Sequence, residues 1–590
     1  MNSDMKPTTE VLEGDEKKQF SVEEVSRQPT SSIDDERDGK MTKEKWLALI
    51  SLGLAYMTAF QQSATLGGIL KSIDNALGPT TYYNWILSAL TISSAISLPL
   101  SGGLSDIFGR RYFMIAGGFI SLVSAIMGLV AKNIPTMIAM SAVAGLGSGS
   151  QQLALAAVSE IVPNRLRGRV QACIDLVVLP WTVFGAITGG AMVTQHGKYG
   201  FRINFIVGLI LNVLSIVTAY FWYFPPSAGL RLGNQTRRAA FIGLDWMGVF
   251  LLNTAVILLL VGIALGGETY PWSHAGVVAP LVLSAVLLVA LWFWEAYYAK
   301  NPFMAHELFI GKTRTFTMFL VIDFVAGMGL YAALAFWALL VRGMWEGTPM
   351  KVGVLVIPGG FGAAFGGFTA GMLIGRGRFF TTPLMLFYGT CFKCIADMCT
   401  TLIMPHGAHA IPFGLGIGFL SMIGTGWLTV TLIVCVQLAC EDQDIGLATL
   451  LLGSVRAIGG SVAINIYTAL LNNEVKKQAG PMMARAVLKL GVPASTLPKL
   501  IGLLIVEKHE AAGKLPGMTP HSTEVARETM KLIWAKGFHK VYLCAGAFAG
   551  AAIIAAVLSK DVSGNMTGHV AARLENEKER PKEVEEGRSL

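Results

Sequence analysis

Five charged side chains interrupt long apolar runs in this 590-residue sequence: Asp175, Asp323, Lys393, Asp397 and Arg456. A charge near the centre of a bilayer costs about 2.5–3.5 kcal/mol on the insertion scale, so each one calls for a partner or a function. Lys393 and Asp397 are four residues apart and can pair along one face of a helix. A structural ion pair is therefore the simpler interpretation of these two residues.

Asp323 is the strongest candidate for proton chemistry because it has no charged neighbour in the sequence. It lies nine residues beyond Arg314, which is about 13 Å along a helix. A buried carboxylate can take up and release a proton near neutral pH, so we interpret Asp323 as the leading residue for proton coupling. A protonated aspartate that bonds a backbone carbonyl is the alternative. Arg456 can balance Asp323 or hold an anionic substrate, and Asp175, about 7 Å inside a span, can pair with an arginine of the preceding loop.

The stretch GGLSDIFGRR at 102–111 places one carboxylate and two guanidinium groups between two apolar runs. Its glycines permit a close helix approach and a tight turn, and its charges can bond helix ends and neighbouring helices. We expect Gly102, Asp106, Gly109, Arg110 and Arg111 to form a latch between two helix bundles. The alternative is that the two arginines only set the membrane topology.

The composition of the whole chain predicts a multi-spanning membrane protein. The chain is 53% hydrophobic and 14% charged, whereas a soluble protein carries about 25% charged residues. Basic loops on the cytoplasmic side explain the net charge of +8 without nucleic-acid binding. No phosphate-binding loop with its full set of glycines occurs, and His406 and His409 lack a third metal ligand. We therefore expect a protein that is not an enzyme, binds no metal or other cofactor, and is driven by a gradient.

Fourteen segments are apolar and long enough to cross a bilayer, which takes about 20 residues. They lie at 46–69, 83–103, 112–131, 135–158, 171–193, 202–224, 244–265, 276–298, 315–340, 351–373, 382–404, 411–434, 447–470 and 539–558. Basic clusters follow the even-numbered spans, which places both termini in the cytoplasm. Between the last two spans, the segment 471–538 predicts short amphipathic helices over the outer mouth, or a simple spacer.

A weaker copy of the charged stretch, GGFTAGMLIGRGRFF at 366–380, follows the tenth span, whereas the original follows the second. The offset of eight spans indicates two six-helix bundles with two inserted helices, because transporters often consist of two similar halves. The predicted units are a disordered cytoplasmic tail at 1–45, a first bundle at 46–224, an insertion at 225–314, a second bundle with the long outer loop at 315–558, and a cytoplasmic tail at 559–590.

GGLSDIFGRR resembles the loop signature of the major facilitator superfamily, with every key position filled, and the fourteen-span layout resembles its drug:proton antiporter branch. Four longer stretches resemble the fungal trichothecene efflux pump family, which is related to siderophore carriers: WILSALTISSAISLPLSGGLSDIFGRR, GLGSGSQQLALAAVSEIVPNRLRGR, LLGSVRAIGGSVAINIYTALLNN and DVSGNMTGHVAARLENE. The resemblance covers roughly residues 45–577. It implies an all-α major facilitator fold, in which Asp106 and Arg110 belong to a latch that holds the outward-facing state.

Two departures from the wider antiporter pattern weaken the case for proton coupling. Ser141 stands where the fourth span of that pattern carries an arginine, and Ala186 replaces the proline of the fifth-span signature. Gly185, Gly189 and Gly190 keep the packing role of this signature. Proton antiport is therefore implied by the resemblance alone.

Aromatic and amide side chains within the spans predict a cavity for a mid-sized, largely uncharged, oxygen-rich organic molecule. Packing inside a bundle is the alternative for each of the candidates, which are Phe60, Gln61, Gln62, Gln151, Gln152, Tyr331, Trp337, Trp427, Asn465 and Tyr467.

We expect a monomeric carrier in the lipid bilayer of the plasma membrane that exports a fungal secondary metabolite, such as a trichothecene-like toxin, by alternating access and in exchange for protons. Proton-coupled uptake of iron–siderophore complexes is the alternative function. A vacuolar or vesicle membrane is the alternative location.

Overall fold

The computed structural model of the chain describes residues 42–571 except 79, 81, 226–235, 268–269, 300–313, 408 and 506–508. The two predicted tails, at 1–45 and 559–590, therefore lie largely outside the described residues. Part of the predicted insertion, including the basic residue Lys312, also lies outside them.

Helices occupy the positions of all fourteen predicted spans, and we number them accordingly. They are α1 (Lys43–Leu77), α2 (Trp85–Phe108), α3 (Arg110–Val130), α4 (Ile134–Gln151 and Ala154–Ile161), α5 (Arg167–Val177 and Leu179–His196), α6 (Arg202–Trp222), α7 (Trp246–Leu265), α8 (Ala275–Tyr297), α9 (Thr315–Trp345), α10 (Pro349–Leu373), α11 (Thr382–Thr400), α12 (Ala410–Ala439), α13 (Ile445–Val487) and α14 (Pro520–Leu558). The only β-structure in the described ranges is one isolated bridge between Gly266 and Tyr270.

Within the described residues, 11 helical segments are long and apolar enough to cross a membrane. The remaining three helices, α1, α4 and α11, are less apolar because polar side chains interrupt them. Gln61 and Gln62 lie in α1, a run of serines and glycines ends the first part of α4, and Lys393 and Asp397 lie in α11. The all-helical membrane fold is thus established, while the number of fourteen crossings stays a prediction.

The helices pack as two groups with a pair beside them. Helices α1–α6, called the N-half below, contact one another, and helices α9–α14, called the C-half, do the same. The two halves meet where α2 packs against α13 and α5 packs against α10. Helices α7 and α8 pack on each other, and α7 also contacts α2 and α13. The inserted pair therefore lies beside the seam between the halves.

The hydrophobic core is shared at one end of the molecule and divided at the other. At the end that carries the α2–α3 turn, called the Arg110 end, one buried cluster includes Leu52 and Ile161 of the N-half together with Leu432 and Leu450 of the C-half. At the opposite end each half has its own cluster. The cluster of the N-half surrounds Ile69, and that of the C-half surrounds Leu471. Among the described residues, the two halves therefore share a buried hydrophobic cluster at the Arg110 end only.

The segment predicted at 471–538 is largely a helical hairpin. Helix α13 is 43 residues long and α14 is 39 residues long, so both extend well beyond the length that crosses a bilayer. The short helix Leu497–Ile505, which buries Leu500 and Leu504, and the turn of helix His509–Gly513 lie between them. Short helices were expected here, but the extensions of α13 and α14 form the larger part.

Glu346 ties this hairpin to the end of α9. Its carboxylate accepts a bond of 2.6 Å from Arg527 and lies 3.2 Å from the ammonium group of Lys531. Burial by itself would raise the pKa of Glu346, but the bonds from Arg527 and Lys531 outweigh it and hold the pKa below its ordinary value. The hairpin is thus fixed to the C-half by charge as well as by packing.

Two glycines shape the closed end. Gly109 has a φ of +95°, a conformation that side-chain-bearing residues rarely adopt, and it forms the turn between α2 and α3. A Cβ on Gly102 would lie 3.0 Å from the Cα of Leu447 and 3.4 Å from the carbonyl oxygen of Gly446. Those atoms belong to the backbone of α13, so a side chain at position 102 would fit only if the whole helix moved.

Gly102→Ala should push α2 away from α13 and lower the stability of the protein by about 1–3 kcal/mol, the range for overpacked sites. Thermal unfolding of the purified protein in detergent measures this. Gly453→Ala is the matched control in the same seam, because its Cβ would meet the Leu98 side chain at an ordinary 3.4 Å. Equal losses in the two variants would contradict the backbone contact as the cause.

Candidate functional site

A cavity of about 630 Å³ lies between the N-half and the C-half. Its lining comes from α1, α2, α4 and α5 on one side and from helices of the C-half on the other. The lining reaches Trp85 at the start of α2 and Asn472 in α13, both far from the Arg110 end. Its lining also includes Leu98, Leu155 and Leu450 of the shared cluster, so the cavity extends from that cluster towards the opposite end.

Arg456 and Asp323 form an ion pair in the wall of the cavity. Nε and Nη2 of Arg456 donate to Oδ1 of Asp323 at 2.9 and 2.6 Å. Asp323 on α9 is fully buried, and its Oδ2 finds no hydrogen-bond partner in the described part of the chain. Gly327 permits this closeness, since a Cβ there would lie 2.1 Å from the carbonyl oxygen of Arg456.

Asp175 of α5 faces the same cavity from the N-half. Its carboxylate has no hydrogen bond or ion pair with any residue that the structure describes. It does not pair with Arg167, whose guanidinium instead donates to the carbonyl oxygens of Ser159 and Gln437 at 2.9 and 2.8 Å. Gly367 of α10 leaves room for the carboxylate, because a Cβ there would lie 2.6 Å from Oδ2 of Asp175.

Arg456 thus faces one carboxylate from each half. It is bonded to Asp323 and acts electrostatically on Asp175 across the cavity. Tyr56 of α1 and Tyr331 of α9 also lie within electrostatic range of Arg456. One guanidinium between two carboxylates can neutralise only one of them, so the other, Asp175, is free to bind a proton or another cation.

Lys393 and Asp397 pair along α11, as their spacing suggested. The Lys393 ammonium contacts both carboxylate oxygens of Asp397, at 2.5 Å for Oδ2, and donates to Oγ of Ser421 at 3.0 Å. Ser421 on α12 in turn donates to Asp397 at 2.7 Å. Both charges line the cavity but already have partners, so they form a polar wall without a free charge.

The structure separates the predicted cavity residues into two groups. Those that line the cavity are Phe60, Gln152, Tyr331, Trp337, Asn465 and Tyr467. The others lie away from the lining and bond neighbouring helices: Gln61 to Asn204 at 2.6 Å, Gln62 to Ser124 at 3.3 Å, Gln151 to Asn212 at 2.8 Å, and Trp427 to the Met385 carbonyl at 2.9 Å. A buried amide needs a partner wherever it lies, which is why amide content alone did not separate the groups.

The charged stretch at 102–111 forms a network at the Arg110 end. Nη2 of Arg110 lies 3.0 Å from Asp106 and also contacts Glu160 at the end of α4. This guanidinium reaches the C-half, since a Cβ on Gly446 would lie 2.6 Å from it. Arg111 instead points to the end of α6, where it contacts the Tyr220 carbonyl and the ring of a phenylalanine. Gly102 and Arg110 therefore contact the C-half, and Asp106 is bonded to Arg110, whereas Arg111 is directed away from the seam.

The sequence did not lead us to predict a role for Glu160, although its position before a basic loop is an indication of one. It is the last acidic residue before the basic loop NRLRGR at 164–169, and it is 4% exposed. A buried carboxylate at the end of a span requires a positive partner. The sequence did not indicate that this partner would be Arg110 of another helix.

Residues 561–569 beyond α14 bridge the two halves at the Arg110 end. Backbone amides of Asn164 and Arg165 in the N-half donate to the carbonyls of His569 and Thr567 at 3.0 and 2.9 Å. On the C-half side, Thr382 donates to Asp561 at 2.9 Å. Burial by itself would raise the pKa of Asp561, but hydrogen bonds from Ser563 and Thr382 outweigh it and lower the pKa. The C-terminal segment therefore adds to the closure of this end.

The glycine signature of the fifth span packs α5 on α1. A Cβ on Gly185 would lie 3.1 Å from Ala64, and one on Gly189 would lie 2.9 Å from Ile69. Gly190 is buried beside them. On its other face α5 meets α10, where a Cβ on Gly360 would lie 2.6 Å from the Thr182 carbonyl oxygen. Helix α5, which carries Asp175, is thus held closely on two sides.

Comparison with known proteins agrees with this geometry. A model of the family described as fungal trichothecene efflux pump (TRI12) matches residues 47–590. The trichothecene efflux pump TRI12 of Trichoderma arundinaceum is 25% identical, over 86% of this chain and 84% of its own length. The efflux pump FUS6 of Gibberella moniliformis is 25% identical, over 85% of this chain and 87% of its own length.

Solved transporter structures share the fold. The human organic anion transporter MFSD10 (TETRAN) matches with a TM-score of 0.51 and 12% identity, over 86% of this chain and all (100%) of that one. A bacterial homolog of the human lysosomal transporter Spinster matches with a TM-score of 0.50 and 11% identity, over 88% and 98% of the two chains. At such low identity the likeness shows the major facilitator fold alone.

Arg456→Gln should destabilise the protein by about 3–5 kcal/mol, because it leaves the Asp323 carboxylate buried without its partner. The double variant with Asp323→Asn should recover most of this loss, as measured by thermal unfolding in detergent. Glu524→Gln is the control, because it breaks the pair with Arg527 in which Glu524 is 56% exposed and should cost about 1 kcal/mol or less. Additive losses in the double variant would refute the pairing.

Proposed function

This chain belongs to the fungal trichothecene efflux pump family, and we propose that it exports a fungal secondary metabolite of the trichothecene type across a membrane. Its family and fold are those of secondary transporters, which are not enzymes. The cavity of about 630 Å³ has aromatic and amide walls, and its positive charges are already paired. Such a lining suits an oxygen-rich, largely uncharged molecule.

The division of the hydrophobic core is the observation that supports alternating access best. One shared cluster closes the Arg110 end, while each half keeps a cluster of its own at the opposite end. A carrier that rocks its halves about a central site needs this difference between its two ends. The basic loops support a cytoplasmic Arg110 end and hence an outward-facing state. We further propose that the carrier lies in the plasma membrane and works as a monomer.

Asp175 supports a specific mode of proton coupling. Arg456 is bonded to Asp323, so the unpaired carboxylate that faces the cavity is Asp175 and not Asp323, the residue that the sequence favoured. Proton uptake by Asp175 from outside would remove the net charge between the halves and permit them to close on the outer side. Release of that proton to the cytoplasm would then accompany binding of the next substrate molecule. For each charge that crosses the membrane, the membrane potential adds about 2.3 kcal/mol per 100 mV to the free energy available for transport.

Export is tested with a labelled trichothecene in yeast cells that express the protein. Cells with the transporter should accumulate less of the compound than cells with an empty vector, and collapse of the proton gradient should remove the difference. Equal accumulation in both cells would refute export of this class. Faster uptake of an iron–siderophore complex in the same cells would indicate the alternative function, with the opposite direction.

Asp175→Asn should abolish transport driven by a pH gradient in proteoliposomes, because an amide cannot carry the proton. Exchange of labelled for unlabelled substrate without a gradient should continue, since the amide keeps the size of the side chain. Asp175→Glu is the matched control and should retain a measurable part of the gradient-driven rate. Gradient-driven transport at the normal rate in Asp175→Asn would exclude this residue as the proton carrier.

A further inference from the structure

A second, smaller cavity of about 210 Å³ lies between the halves at the Arg110 end. The N-half contributes Arg165 and Arg169 to its lining, the C-half contributes Arg376, and Met566 of the C-terminal segment covers one side. None of the three arginine side chains has a hydrogen bond or ion pair with a residue that the structure describes. No carboxylate occurs in the described lining. All three arginines are exposed, so three positive charges border one solvent-accessible cavity, and no carboxylate balances them in its described lining.

The floor of this cavity is a contact between the two halves. A Cβ on Gly371 of α10 would lie 2.4 Å from the carbonyl oxygen of Gly168 on α5, and one on Gly168 would lie 2.4 Å from Cγ2 of Ile374. Backbone thus touches backbone across the seam. Because its walls belong to different halves, the cavity in this form requires the Arg110 end to be closed.

We propose that this cavity binds a phosphate-bearing anion that bridges the two halves. Guanidinium groups recognise phosphate through paired, charge-assisted hydrogen bonds, and basic pockets between membrane helices bind phosphate-bearing headgroups. The volume of about 210 Å³ is several times the roughly 30 Å³ of one water molecule in the liquid. The cavity lies at the ends of the membrane helices, where a lipid headgroup and a soluble phosphate can both enter.

The anion would act as a regulator of the closed end. A ligand that binds only one conformation shifts the population towards it, so a bound phosphate would favour the state described here and slow the opening of the Arg110 end. This consequence for transport rests on the proposed alternating access, whereas binding of the anion does not. A binding measurement consequently separates a failure of the site from a failure of the proposed function.

The experiment uses the full-length protein in nanodiscs of phosphatidylcholine and measures its thermal stability in two arms. In one arm phosphatidic acid is added to the nanodisc lipid in phosphate-free buffer, and in the other arm inorganic phosphate is titrated without anionic lipid. The test variant is the double substitution Arg165→Gln with Arg376→Gln. The matched control is Arg378→Gln, which removes an exposed arginine of the same loop that does not line the cavity.

Wild type and Arg378→Gln should be stabilised by the anion, and the apparent affinity of the double variant should be about 25-fold weaker, at about fivefold for each arginine. Stabilisation by phosphatidic acid alone identifies a lipid headgroup, and stabilisation by inorganic phosphate identifies a soluble ligand. The proposal is overturned if neither anion stabilises the wild type, or if the double variant responds as Arg378→Gln does. Melting of each variant without anion establishes that it is folded.

Discussion

Arg456 carries a positive charge between two helix bundles, where a charge is stable only beside a carboxylate. The neighbouring helices each bring a carboxylate towards this guanidinium. Gly327 permits α9 to approach until Asp323 meets the guanidinium, and Gly367 leaves room for Asp175 on the other side. Two carboxylates and one guanidinium leave one negative charge unbalanced. One proton bound to Asp175 would balance this charge, in the place where the two halves face each other.

The contact between the halves is made of backbone as much as of side chains. Gly102 meets Leu447 in one part of the seam, and Gly168 meets Gly371 in another. Small residues favour such contacts in membranes, since dispersion between closely packed helices replaces the hydrophobic effect that lipid does not provide. A seam that contains such close backbone contacts can separate at one end while the other stays closed. This property is what a carrier with alternating access requires.

Hydrogen bonds and ion pairs also hold the Arg110 end closed. Arg110 joins Asp106 to Glu160 within the N-half, and Arg167 reaches across to the Gln437 carbonyl of the C-half. The C-terminal segment adds bonds to both halves, and the cavity lined by Arg165 and Arg376 adds the proposed anion site. Closure of the Arg110 end is thus the sum of several modest interactions. Each of them can shift the balance between two states without being indispensable to the fold.

The sequence by itself determined the class of the protein, the positions of its helices and its family. Apolar runs long enough for a bilayer indicate a helical membrane protein, and a pair four residues apart, such as Lys393 and Asp397, is set by local helix geometry. Tertiary structure alone decided which polar side chains face the cavity. Arg456 meets Asp323 across 133 residues of sequence, and Gln61 meets Asn204 across 143. Such contacts depend on how each helix is rotated in its bundle. Helices with apolar residues on every face carry no periodic signal that fixes this rotation.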